Sequence, residues 1–224
     1  TGILITAEQS KTRGLPALFT SPPETSQAHT ISLFGALGCA TALLDSSQKY
    51  VSDVRALSLL LVKLFNDKNF RKKLNTVVKT KLRKKVVHCI GSSPLDFTAH
   101  EVALKIREMA FQKTAVFGVE DFLHGPQIAI EPGDPVIVFH SALEKNRVDI
   151  AFQVIKELKA SAIDCVKLLP PYAQKQQLGA IWQSILQLGV GQLLALELSR
   201  VARTNPDRNR LEDSRFAKAK KLML

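Results

Sequence analysis

The chain has 224 residues, 46% of them hydrophobic and 23% charged, with a formal net charge of +11. That is enough apolar sequence to bury a full core in one large or two small domains. It holds no uncharged apolar run of membrane-spanning length: residues 178–196 come closest, but Gln183, Gln187 and Gln192 interrupt them, which fits a buried helix better.

In chain order, residues 2–7 (Gly-Ile-Leu-Ile-Thr-Ala) read as a buried parallel strand and 15–21 as a second, short one. Residues 27–46, 50–65 and 67–82 each carry apolar side chains at helical period. A strand follows at 85–90, then a Gly91-Ser-Ser-Pro94 loop and a helix over 95–110. Strand, Gly/Ser loop and helix together offer backbone N–H groups to an anion, although the same tetrapeptide also makes an ordinary turn. Strands at 115–118, 135–140 and 161–168 alternate with helices at 144–159 and 174–203. That alternation predicts an α/β fold, a three-layer α/β/α sandwich on a mainly parallel sheet.

Cys39, Cys89 and Cys165 are widely spaced in apolar runs, as expected for buried, reduced thiols of a cytoplasmic protein. No His, Cys or carboxylate set has metal-ligand spacing, so no metal is expected. The positive charge gathers in two runs. Arg71, Lys72, Lys73, Lys79, Lys81, Arg83, Lys84 and Lys85 form one, and Arg200, Arg203, Arg208, Arg210, Arg215, Lys218, Lys220 and Lys221 the other. Such charge attracts polyanions or phosphorylated metabolites, or lies on a solvated helix face. Few aromatics interleave it, so nucleic acid is not the expected partner, and neither is a membrane.

Candidate chemistry lies between residues 101 and 126. Glu101, Lys105 and Glu108 are spaced i, i+4 and i+7, one face of a helix. His124 follows, with Gly125-Pro126 fixing a turn behind it. Most surface Glu/Lys pairs are solvated and have no function. A carboxylate, an amine and an imidazole offered together are nevertheless the groups that move protons around a sugar carbon.

The order Glu101-x-x-x-Lys105-x-x-Glu108, then Glu-Asp-Phe-Leu-His-Gly-Pro at 120–126, closely resembles the sugar isomerase (SIS) family. The nearest likeness is the second SIS half in the isomerase part of glucosamine-6-phosphate synthase and its relatives. Residues 22–34 resemble the end of the family's first SIS half, residues 134–139 the strand after the His-Gly-Pro turn, and residues 204–210 its Asn-Pro-Asp-x-x-Arg tail. The resemblance implies a flavodoxin-like SIS domain at 84–203. Before it would come a remnant of the first half at 1–47 and linking helices at 48–83, and after it a basic tail at 204–224. The earlier part of the first half is then expected to lie outside this sequence.

By the same resemblance Glu108 is the proton-abstracting base. Lys105 stabilises negative charge on the sugar oxygen, and His124 opens the ring at a neighbouring subunit's site. Glu24, His29, Thr30, Glu101, Ser92 and Ser93 are the expected substrate contacts, with Glu101 matching the glutamate that opens the same helix, where a structural role is equally open. Two departures stand out. The family's Ser/Thr-rich phosphate loop would precede Thr1, and Ser214 stands where the synthase has its Schiff-base lysine. The implied function is an aldose–ketose isomerase or deaminase-type enzyme acting on a sugar or aminosugar phosphate. A non-catalytic SIS module that senses a phosphosugar or nucleotide sugar is the alternative. The expected partners are a sugar phosphate and a second copy of the chain, with no cofactor.

Overall fold

Residues 4–6, 17–19, 34, 36–37, 48–82, 86–176, 178–208 and 210–222 are described by a computed structural model. The chain divides into two compact units, residues 1–58 with 206–224, and residues 59–205. In the first unit β1 (Leu4–Thr6) pairs in parallel with β2 (Ala17–Phe19), Ile5 opposite Leu18. Helix α1 (Gln48–Asn66) begins in this unit and ends in the other.

The second unit is built on four parallel strands, β3 (Val87–Gly91), β4 (Thr114–Gly118), β5 (Pro135–Phe139) and β6 (Ser161–Asp164), in the order β4-β3-β5-β6. Every residue of the two central strands, β3 and β5, is buried, which is why both read as unbroken apolar runs. This is the parallel α/β architecture the sequence predicts.

Helices cover both faces. Ile90, Val136 and Val138 pack against α4 (Val119–Leu123) and α5 (Lys145–Glu157) through Val119, Phe122, Val148, Ala151 and Ile155. Strand alternation sends Cys89 and Ile137 to the other face. There α3 (Asp96–Ala110) lies on β3, β4 and β5, and the long α8 (Ala180–Ala202) lies on α3. Among the described residues α8 is the one helix long and apolar enough to cross a membrane, but 78% of its apolar window is buried within the fold. It is a core helix, as the interrupting glutamines predict.

Before the sheet, α2 (Lys68–Val77) is capped by Asp67, whose carboxylate accepts from the amides of Asn69 and Phe70, and it runs into a wider π-helical turn at Val78–Leu82. Two expected elements are shorter than the periodicity predicts. The strand expected over 161–168 stops at Asp164, because that carboxylate accepts from the Lys167 amide at 3.0 Å and starts the single turn α6 (Cys165–Leu168). The helix expected over 174–203 starts only at Ala180, as α8, with extended Gly179 as its cap; the short α7 (Pro171–Gln174) ends where it was expected to begin. The helix expected over 27–46 lies largely outside the described residues.

Candidate active site

The helix carrying the candidate residues follows β3 so closely that only glycine fits at the strand's end. A Cβ on Gly91 would lie 2.4 Å from the Asp96 Cα and from the Leu95 carbonyl oxygen. The chain turns there at once, and Asp96 puts a negative charge in the first turn of α3, where the helix dipole favours it. All of Glu101, Lys105 and Glu108 fall within this helix.

Lys105 is the unusual residue. Its side chain is 4% exposed, and its Nζ donates to Glu108 Oε2 at 2.9 Å, while the Glu108 side chain is 28% exposed. Lysine is almost never buried without a counter-charge, so the pair is unlike the solvated surface bridges that contribute little. A partly exposed carboxylate bound to an ammonium can accept a proton. The ammonium remains to balance charge on a nearby oxygen. Glu101 is half-buried two turns before Glu108.

His124 stands apart from this pair. It caps the end of α4 with its side chain 75% exposed, and its Nε2 lies 3.5 Å from Glu120 Oε2. Glu120 is gripped by both arms of the Arg147 guanidinium, which holds its carboxyl below the ordinary range. The following turn is braced by Gln127, which accepts from the Gly125 amide at 2.7 Å.

The loop after β3 is already engaged from within the chain. The Ser93 amide donates to Glu144 Oε2 at 2.7 Å; Ser92 is buried, its amide donating to Phe139 O and its Oγ accepting from the Ser141 amide. Glu24, His29 and Thr30 lie outside the described residues.

Sequence reasoning missed two polar arrangements. His140, just past β5, has Nε2 3.0 Å from Asp164 Oδ1, and the Gln187 side chain clamps its peptide group at both ends. Burial pushes the Asp164 carboxyl up, but the hydrogen bonds from His140 and Lys167 outweigh it and hold the group at about 2. The second arrangement centres on Glu197 in α8, 6% exposed, which accepts from Arg71, Arg200 and Asn75. Alternation on β6 offered a hint of the first; partners 126 positions apart left none for the second.

No family model matches the sequence, and no curated protein sequence matches it. Solved structures do. The tagatose-6-phosphate ketose/aldose isomerase of Escherichia coli superposes with a TM-score of 0.68 at 20% identity, covering 92% of this chain and 62% of that one. The C-terminal domain of glucosamine-fructose-6-phosphate aminotransferase from Francisella tularensis gives 0.72 at 16%, covering 92% and 64%. Glucosamine-6-phosphate deaminase from Thermotoga maritima gives 0.59 at 17%, covering 92% and 63%. The chain spans less than two thirds of the length of each. Sheet order, covering helices and these superpositions agree that the chain has the SIS-type α/β fold of phosphosugar isomerase structures.

Proposed function

We propose that the chain is the phosphosugar-binding, base-bearing part of an aldose–ketose isomerase or aminosugar-phosphate deaminase-type enzyme. The observation that carries this reading is the burial of Lys105 against Glu108. Desolvating an ammonium is costly, and the cost has a purpose where negative charge develops on a substrate oxygen. In the forward step the Glu108 carboxylate takes the proton from C1 of an open-chain ketose phosphate. The C1–H electron pair becomes the C1=C2 bond, and the carbonyl pair moves onto O2, where Lys105 balances it. A proton then passes from O1 to O2, the O1 pair closes the C1=O bond, and the C1=C2 pair takes the proton back from Glu108 at C2, which gives the aldose. His124, exposed on the far end of α4, would serve the active site of a second copy, which makes the enzyme a homodimer in this reading.

The test is turnover of fructose 6-phosphate to glucose 6-phosphate by the full-length protein. Glu108→Gln should lower kcat by about 10²–10⁴-fold with KM little changed, the usual contribution of a general base. Lys105→Met should lower the same step. Turnover unaffected by Glu108→Gln would overturn Glu108 as the base, and binding of the sugar phosphate without turnover by wild type would leave the phosphosugar-sensing module as the reading.

A further inference from the structure

The two basic runs of the sequence meet in space. A cleft of about 1080 Å³ opens beside the chain that leads into β4, at the amino-terminal edge of the sheet. Lys79 of the π-helical turn, from the first run, lines it together with Arg200 and Arg203 at the end of α8, from the second. Among the described residues no acidic side chain lines it. Behind its wall, buried Glu197 binds Arg71 at 2.9 Å, Arg200 at 2.6 Å and Asn75 at 3.2 Å, and so fixes two guanidiniums in place. Two cations therefore share a single carboxylate, and Lys79 and Arg203 add two more charges to the cleft lining. Lys79 and Arg203 are exposed, and among the described residues neither has a carboxylate partner.

Helices α3 and α8 both end here, each closed by a left-handed residue, Phe111 (φ 56°) and Arg203 (φ 58°). Helix carboxyl ends ordinarily repel anions. Three of the terminal carbonyls are satisfied within the chain. The Thr204 hydroxyl donates to Met109 O at 2.6 Å, and the amides of Arg203 and Thr204 donate to Arg200 O and Ser199 O. Lys79, Arg200 and Arg203 line the cleft beside the Phe111 ring, while the side-chain amides of Asn75 and Gln112 donate to Glu197 and to the Leu82 carbonyl.

We infer that this cleft binds the phosphate monoester of a small metabolite, at a site separate from the Lys105–Glu108 pair. A concave site of this size matches a small ligand. One aromatic ring, that of Phe111, makes no stacking platform for a nucleic acid strand. The inference does not depend on the proposed isomerisation.

The test is a titration of the 15N-labelled full chain at low ionic strength with inorganic phosphate, adenosine monophosphate and fructose 6-phosphate, with fructose as the uncharged control. The phosphates should move the amide resonances of Gln112, Arg203 and Thr204, and fructose should not. The double variant Lys79→Ala/Arg203→Ala, both at exposed positions, should weaken inorganic phosphate and adenosine monophosphate by at least about tenfold, as expected for loss of charge-assisted hydrogen bonds. Lys156→Ala, an exposed charge on α5, should change little. Whichever phosphate binds best identifies the metabolite class. No binding, unchanged affinity in the double variant, shifts confined elsewhere, or tight binding of a single-stranded oligonucleotide that phosphate fails to displace would each overturn the site.

Discussion

Gly191, in the middle of α8, holds the two helices of one face together. A methyl group there would meet Val102 Cγ2 at 2.1 Å and Cγ1 at 2.8 Å. In an exposed helix Gly→Ala stabilises by about 1 kcal/mol. Here the new methyl falls far inside the roughly 3.5–4.0 Å of normal carbon contact. Overpacking of that kind costs about 3 kcal/mol, so Gly191→Ala should destabilise by about 2 kcal/mol net. Val102→Ala alone leaves a void in a fully buried position and should cost about 2 kcal/mol. In the double variant the methyl introduced by Gly191→Ala occupies the space vacated by the Val102 side chain. The loss should then be only about 1 kcal/mol, a coupling of about 3 kcal/mol. Urea denaturation followed by circular dichroism measures all three. Stabilisation by Gly191→Ala, or strict additivity of the two changes, would refute the close α3–α8 contact that sets where Lys105 and Glu108 stand.

Two further expectations concern titratable groups. Asp164 titrates at about 2 in the fold against an ordinary 3.8, so its stabilisation is complete above about pH 4 and is lost as pH falls toward about 2. His140→Asn, which removes the strongest of the bonds lowering it, should flatten the acid-unfolding curve of near-ultraviolet circular dichroism in that window; an unchanged curve would contradict the pairing. Burial pushes the Cys89 thiol up to about 12 and Cys165 well above its usual value, so both should resist a disulfide reagent in the native chain and react once guanidinium unfolds it. Native-state labelling of either, mapped by mass spectrometry, would count against the buried placement.

Much of the fold was legible because its signals are local. The apolar runs at 87–91 and 135–139 become the fully buried central strands, and the 3.6-residue period of 96–110 becomes α3. The misread boundaries came from side chains that redirect the backbone. Asp164 stops a strand by capping the next turn, and Gly179 starts a helix later than the apolar pattern predicts. Spacing alone put Lys105 and Glu108 on one helix face. The burial that sets the pair apart from a solvated one depends on tertiary packing, which no local pattern encodes. The same holds for Glu144 reaching the Ser93 amide across 51 positions and for the Arg71–Glu197–Arg200 cluster.

The central claim is that Glu108 removes a proton from the carbon beside a sugar carbonyl. The direct measurement is the exchange of solvent deuterium into C1 of fructose 6-phosphate, followed by proton NMR with the full-length protein in D₂O. Wild type should wash deuterium into C1, and Glu108→Gln should slow that exchange by about 10²–10⁴-fold while fructose 6-phosphate still binds. Equal exchange rates for the two proteins would contradict the account.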